Sequence, residues 1–147
     1  MRKKICIALA IIWMGVIFYM SNQPASISSI HSGNTINIIS KLPIIGNIMD
    51  YLTSINIGEF IVRKCAHMTE YAILTFLLYK TFVHKQNPLI KSFLFTVLYA
   101  CSDEFHQLFI PGRAGQIRDV CIDSTGALIM ILIIYFILKR KEKKIGS

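Results

Sequence analysis

The sequence predicts an all-α protein, a four-helix transmembrane bundle with short interfacial helices in the first external loop, and three observations lead there. Of its 147 residues 54% are apolar and only 16% charged, with a mean hydropathy of +0.54, whereas a soluble domain averages about 25% charged residues. Four stretches, at about 5–20, 61–83, 89–110 and 120–138, are long and apolar enough to test as membrane helices. Basic residues alternate between successive connections as the positive-inside rule requires, with Arg63, Lys64, Arg113 and Arg118 on the proposed outer side as exceptions that a charged pocket would explain. The formal charge of +8 therefore points to anionic lipid rather than nucleic acid, for which there is too little soluble chain.

The first span, Ile5 to Met20, carries no charge. At 1.5 Å per residue it covers roughly 24 Å of a hydrocarbon core of about 30 Å, so Lys4 snorkels at one end while Ser21 and Asn22 meet the other interface. A signal peptide is the rival reading, since Arg2, Lys3 and Lys4 resemble its basic region, but Gln23 spoils the small-residue cleavage pattern before Ala25. From Ser21 to Phe60 the chain is broken by Pro24, Gly33, Pro43, Gly46 and Gly58 yet rich in isoleucine, which suits short helices lying in the outer interface. Lys80, Lys85 and Lys91 flank the connection between the second and third spans, and Lys139, Arg140, Lys141, Lys143 and Lys144 follow the fourth. With those sites and the N-terminus inside, both termini are cytoplasmic and the number of crossings is even. Residues 1–138 form one membrane domain, and 139–147 form a basic cytoplasmic tail expected to be disordered. Cys6, Cys65, Cys101 and Cys121 lie in or beside apolar stretches and read as free thiols.

Ionisable residues inside membrane helices are costly, yet Glu70, Asp103 and Asp123 all fall roughly 20 to 22 Å from the proposed inner ends of their spans. Helical spacing places Arg63, His67 and Glu70 on one stripe of the second span, with Lys64 beside it. Asp103, His106 and Gln107 share a stripe on the third, with Glu104 turned about 100° away. Asp119 and Asp123 share a face of the fourth. Lipid cannot satisfy these groups, so the stripes should turn inward and pair Arg63, Arg113 and Lys64 with the carboxylates. The turn-forming run Pro111 to Gly115 would hold Arg113 over the mouth of an outward-facing pocket.

Several motifs combine here: Ser21, Gln23 and Pro24 after the first span; Arg63 to Tyr71 reading RKxAHxxEY; Asp103 to Gln107 reading DExxQ; and Pro111 to Asp123 reading PGRxxxxxDVxxD, followed by Gly126. In these residues, nearly end to end, the chain resembles the VanZ-like family of small bacterial integral membrane proteins. The resemblance implies work on the bacterial cell envelope. The family's namesake is associated with teicoplanin resistance, which makes an effect on glycopeptide susceptibility one expectation, although the resemblance does not by itself imply resistance in this chain.

The residues themselves support two chemistries. In the first, Arg63, Lys64, Gln107, Arg113 and Gln23 bind the anionic headgroup of a membrane lipid or lipid-linked envelope precursor. In the second, His67, Glu70, Asp103, Glu104, Asp119 and Asp123 supply acid, base or orientation to a membrane-embedded hydrolase or transferase. No nucleophile motif and no cofactor motif is present, and His67 with Glu70 lacks the H-E-x-x-H pattern. A metal-dependent variant has competent ligand types without diagnostic spacing, so no metal is assigned. Against both chemistries stands a structural account, in which the ions fix helix register. An oligomer is compatible with the sequence.

Overall fold

The computed structural model describes residues 2–145 and contains, among them, six helices and no strand: α1 (Arg2–Ser21), α2 (Ala25–Ile39), α3 (Ile45–Ser54), α4 (Gly58–Phe82), α5 (Pro88–Gln107) and α6 (Ile117–Ile145). Each of the four expected spans is helical, with bounds within three residues of those predicted except that α6 runs seven residues past 138. The first connection holds two helices, α2 and α3. Pro88 opens α5, where its missing N–H costs nothing, after Asn87 in a left-handed conformation (φ 50°). The basic segment expected to be disordered is instead the last turns of α6, as far as Ile145. Cations at a helix C-terminus complement its macrodipole, and Glu142 lies three residues from Lys139. Residues 146–147 of that segment, and Met1, lie outside the described residues.

Two of the four long helices, over Lys3–Ser21 and Ile117–Lys144, are long and apolar enough to cross a membrane. Helices α4 and α5 fall short of the same measure. The reason is compositional: α4 carries Glu59, Arg63, Lys64, Glu70 and Lys80, and α5 carries Lys91, Asp103 and Glu104. What those polar residues do becomes plain from burial. On α5 the buried residues are Ser92, Thr96, Ala100, Asp103, Glu104 and Gln107, while Ile90, Leu94, Phe95, Leu98 and Phe105 are exposed. That is the reverse of the arrangement water imposes on a soluble domain.

The four long helices alternate in direction. Lys3 and Leu9 of α1 meet Phe76 and Lys80 of α4 at one end, and at the other the end of α5 and the start of α6 meet the first turns of α4. Helix α4 is the hub and packs against each of the other five. Helices α4 and α6 approach closely at Gly126, where an added Cβ would overlap the carbonyl of Met68. Between α4 and α5 the seam is hydroxylic, with Thr75 and Thr96 Oγ1 atoms 3.0 Å apart, each also bonded to a carbonyl one turn back. Two aromatic donors clamp α1: Trp13 Nε1 donates to the Glu70 carbonyl at 2.9 Å and the Tyr99 hydroxyl to the Met14 carbonyl at 2.7 Å. Ala10, Ile17, Tyr71, Leu74, Leu78 and Ala100 form the apolar core beneath these clamps.

Candidate functional site

At the end of the bundle where α1 stops and α4 begins, two adjoining cavities of about 220 Å³ and 140 Å³ share Arg63, His67 and Arg113. The larger is also lined by Lys64, Gln107, Gln116 and Asp119, and the smaller by Glu70, Ser28, Ser32 and His31. The predicted stripe of α4 thus faces one chamber, as its three- and four-residue spacing requires.

Arg113 is placed by the turn before α6. Gly112 has φ +74°, a conformation that favours glycine, and a Cβ there would press on Ala25 at 3.2 Å. The turn docks on the start of α2, with the Ala25 N–H donating to the Pro111 carbonyl at 3.4 Å. From there Arg113 Nε donates to the Gln23 carbonyl at 2.8 Å and Nη2 to the Met20 carbonyl at 3.4 Å. The guanidinium therefore adds to the C-terminal capping of α1, where the Met20 carbonyl also accepts the Gln23 N–H at 3.3 Å. Burial, and after it the neighbouring Arg63 charge, lowers the Arg113 pKa, against the opposing pull of Asp103, Glu104 and Glu70.

The expected pairing of both arginines with carboxylates is not what forms. Among the described residues the ion pair made directly in the chamber is Lys64 with Asp119, at 2.5 Å. Between Arg113 and the acids of α5 stands Gln107. Its Nε2 donates to Asp103 Oδ2 (3.1 Å) and Glu104 Oε1 (3.2 Å), and its Oε1 accepts from Arg113 Nη1 (3.5 Å). Among the described residues Arg63 reaches only the Ser29 hydroxyl, at 3.4 Å, and its Nε has no partner. Asp119 also stands near Arg118, and both Lys64 and Arg118 lie over the Phe60 ring at the rim, 5.5 Å from its centroid.

Three proposed acid or base residues lie behind the chamber wall: Asp103, Glu104 and Asp123 are 3%, 5% and 1% exposed. Asp123 Oδ1 is 3.6 Å from His67 Nδ1, which leaves Nε2 as the nitrogen available to a ligand. Glu104, placed off the polar face by its 100° offset, is as buried as Asp103, because α5 packs against both α4 and α6. Its Oε2 accepts the Gln116 N–H at 3.0 Å. His106 leaves the stripe instead and packs its ring on Phe18, centroids 4.6 Å apart. Gln23 contributes its carbonyl, while its side chain turns back to the Tyr19 carbonyl at 3.3 Å. Sequence reasoning missed Phe60 and Gln116, and the role of Gln116 is carried by a backbone N–H that no motif announces. No three His, Cys, Asp or Glu side chains converge as a metal-holding group among the described residues.

The model of one family, VanZ/LLP1, matches residues 6–139. The chain belongs to the VanZ/LLP1 family. The match spans all the residues that line the chamber, from Met20 at the end of α1 to Asp119 on α6. No curated protein and no solved structure gives a significant match to this VanZ/LLP1 chain.

Proposed function

We propose that this is a four-pass protein of the bacterial cytoplasmic membrane, both termini cytoplasmic, whose chamber opens to the outer leaflet and binds the anionic headgroup of a lipid-linked envelope precursor. One observation carries the reading: Arg63 and Arg113 face the same cavities, and among the described residues neither forms a direct ion pair with a carboxylate. Two guanidiniums that repel one another gain from an anion placed between them, and phosphate suits their bidentate geometry. The inverted polarity of α5 supports the membrane setting, because apolar side chains on the outside need lipid around them. Family membership supports work on the envelope. Holding a wall precursor at the outer surface would also change its access to glycopeptide antibiotics.

The test is to purify the full chain and its Arg63→Gln variant in mild detergent and measure the phosphate-bearing lipid that accompanies each. A charge-assisted hydrogen bond contributes about 1.5 to 3 kcal/mol, so the variant should retain at least tenfold less lipid at an unchanged melting temperature. Equal retention overturns the reading.

A second reading rests on the His67 and Asp123 pair. A histidine oriented by a buried carboxylate beside a phosphate-sized chamber is the arrangement of a general base, and such contacts are often loose before substrate binds. His67 would take a proton from an attacking water or hydroxyl, making the protein a hydrolase or transferase. Release of phosphate from a lipid phosphate, followed by ³¹P NMR, would be lost in His67→Ala while lipid retention persisted. Absence of release by the unaltered chain removes this second reading alone.

A further inference from the structure

We propose that the groove beside the chamber, between α1, α2, α3 and α4, holds the hydrocarbon chain of the same amphiphile whose anionic headgroup sits between Arg63 and Arg113. The inference rests on the headgroup reading above and adds where the rest of the ligand lies. The groove is about 470 Å³ and is walled by Trp13, Ile39, Met49 and Ile73. That size falls in the range of ligand sites, whereas the adjoining lobe of about 140 Å³ suits a headgroup.

The two spaces adjoin. Val62, Ala66 and Glu70 line both the smaller lobe and the groove. Along α4 the chemistry therefore changes from Arg63, through Glu70, to Ile73 over roughly 15 Å. Cations at one end of a passage and apolar walls at the other complement an amphiphile with a phosphate-class head and a long alkyl tail. They suit neither a free anion, which gains nothing from the groove, nor a neutral lipid, which gains nothing from the arginines.

Local details keep the groove open. Cys65 and Thr69 put small side chains on its α4 wall, and the Thr69 hydroxyl is already bonded to the Cys65 carbonyl at 2.8 Å. Trp13 is fixed by its bond to the Glu70 carbonyl, so the wall is formed before a ligand arrives.

Trp13, the one tryptophan of the chain, reports the experiment. The full chain in phosphatidylcholine nanodiscs is titrated with hexadecyl phosphate dibrominated in mid-chain, and Trp13 fluorescence is followed. Dibrominated phosphatidylcholine at equal mole fraction serves as the bulk control, and butyl phosphate binding is measured in parallel by ³¹P NMR. Saturable quenching by the alkyl phosphate beyond the control, with the midpoint raised at least tenfold in Arg63→Gln, is the expected result. Cys65→Phe or Thr69→Phe, whichever folds, should raise the same midpoint and leave butyl phosphate binding unchanged. Butyl phosphate binding with no quenching beyond the control overturns the groove and leaves the headgroup reading intact. Failure of both phosphates to bind overturns the headgroup reading and the groove with it. Quenching that ignores Arg63→Gln is bulk adsorption and also overturns the groove.

Discussion

A side-chain amide carries a donor and an acceptor at once, and at Gln107 both are used: two buried carboxylates on one side, Arg113 on the other. The amide lets anions and cation share a wall without collapsing into one ion pair, which leaves the guanidinium facing the cavity. Gln107→Leu removes a bond from all three partners and strands the buried Asp103 Oδ2, and a stranded buried polar group costs about 1 to 3 kcal/mol. Unfolding of the variant in detergent should occur at lower temperature by that amount of stability, while Gln107→Asn, one methylene short, should fall between. Lys64 and Asp119 are only about 15% exposed on either side, so a double-mutant cycle with Lys64→Met and Asp119→Asn should give a coupling of about 1 kcal/mol. At this scale the i, i+4 stripe of Arg63, His67 and Glu70 was legible, because a helix maps sequence spacing directly onto direction. Gln23 and Gln116 were not legible as they act, because each contributes a main-chain atom. Nor did spacing show that Glu104 would be covered from a second side by α6.

Helix by helix, the long elements were legible from apolar runs, and the break between the last two from the Pro111 to Gly115 turn. The continuation of α6 through its basic tail was not, since charge density alone does not distinguish a solvated coil from a capped helix end. Close packing of α4 on α6 depends on Gly126 having no side chain, so Gly126→Ala should destabilise the protein by about 1 to 3 kcal/mol. Gly15, with nothing within 4 Å of where a Cβ would stand, sets the contrast. Gly15→Ala should be neutral or stabilise by up to about 1 kcal/mol through helix propensity. Chemical or thermal unfolding of both variants side by side checks the pair. Trp13→Phe keeps the aromatic bulk but removes the bond to the Glu70 carbonyl, and should cost about 1 kcal/mol.

Taken as a whole, the molecule exposes Arg118 at the chamber end, its side chain 61% accessible, and Lys85 at the other. In a chain whose four cysteines are replaced by serine or alanine, Arg118→Cys should react with a membrane-impermeant maleimide added to intact cells. Lys85→Cys should react only after permeabilisation, and the opposite pattern would put the chamber on the cytoplasmic side. The hydroxylic seam of Ser92, Thr96 and Thr75 between α4 and α5 carries a further implication for handling the protein. Such bonds hold helices together only while no competing donor can reach them. Harsh, short-chain detergents that admit moisture between the rods should thus pry α5 loose well before heat does, and deuterium uptake along Ser92 to Ala100 would be the earliest sign of damage during purification.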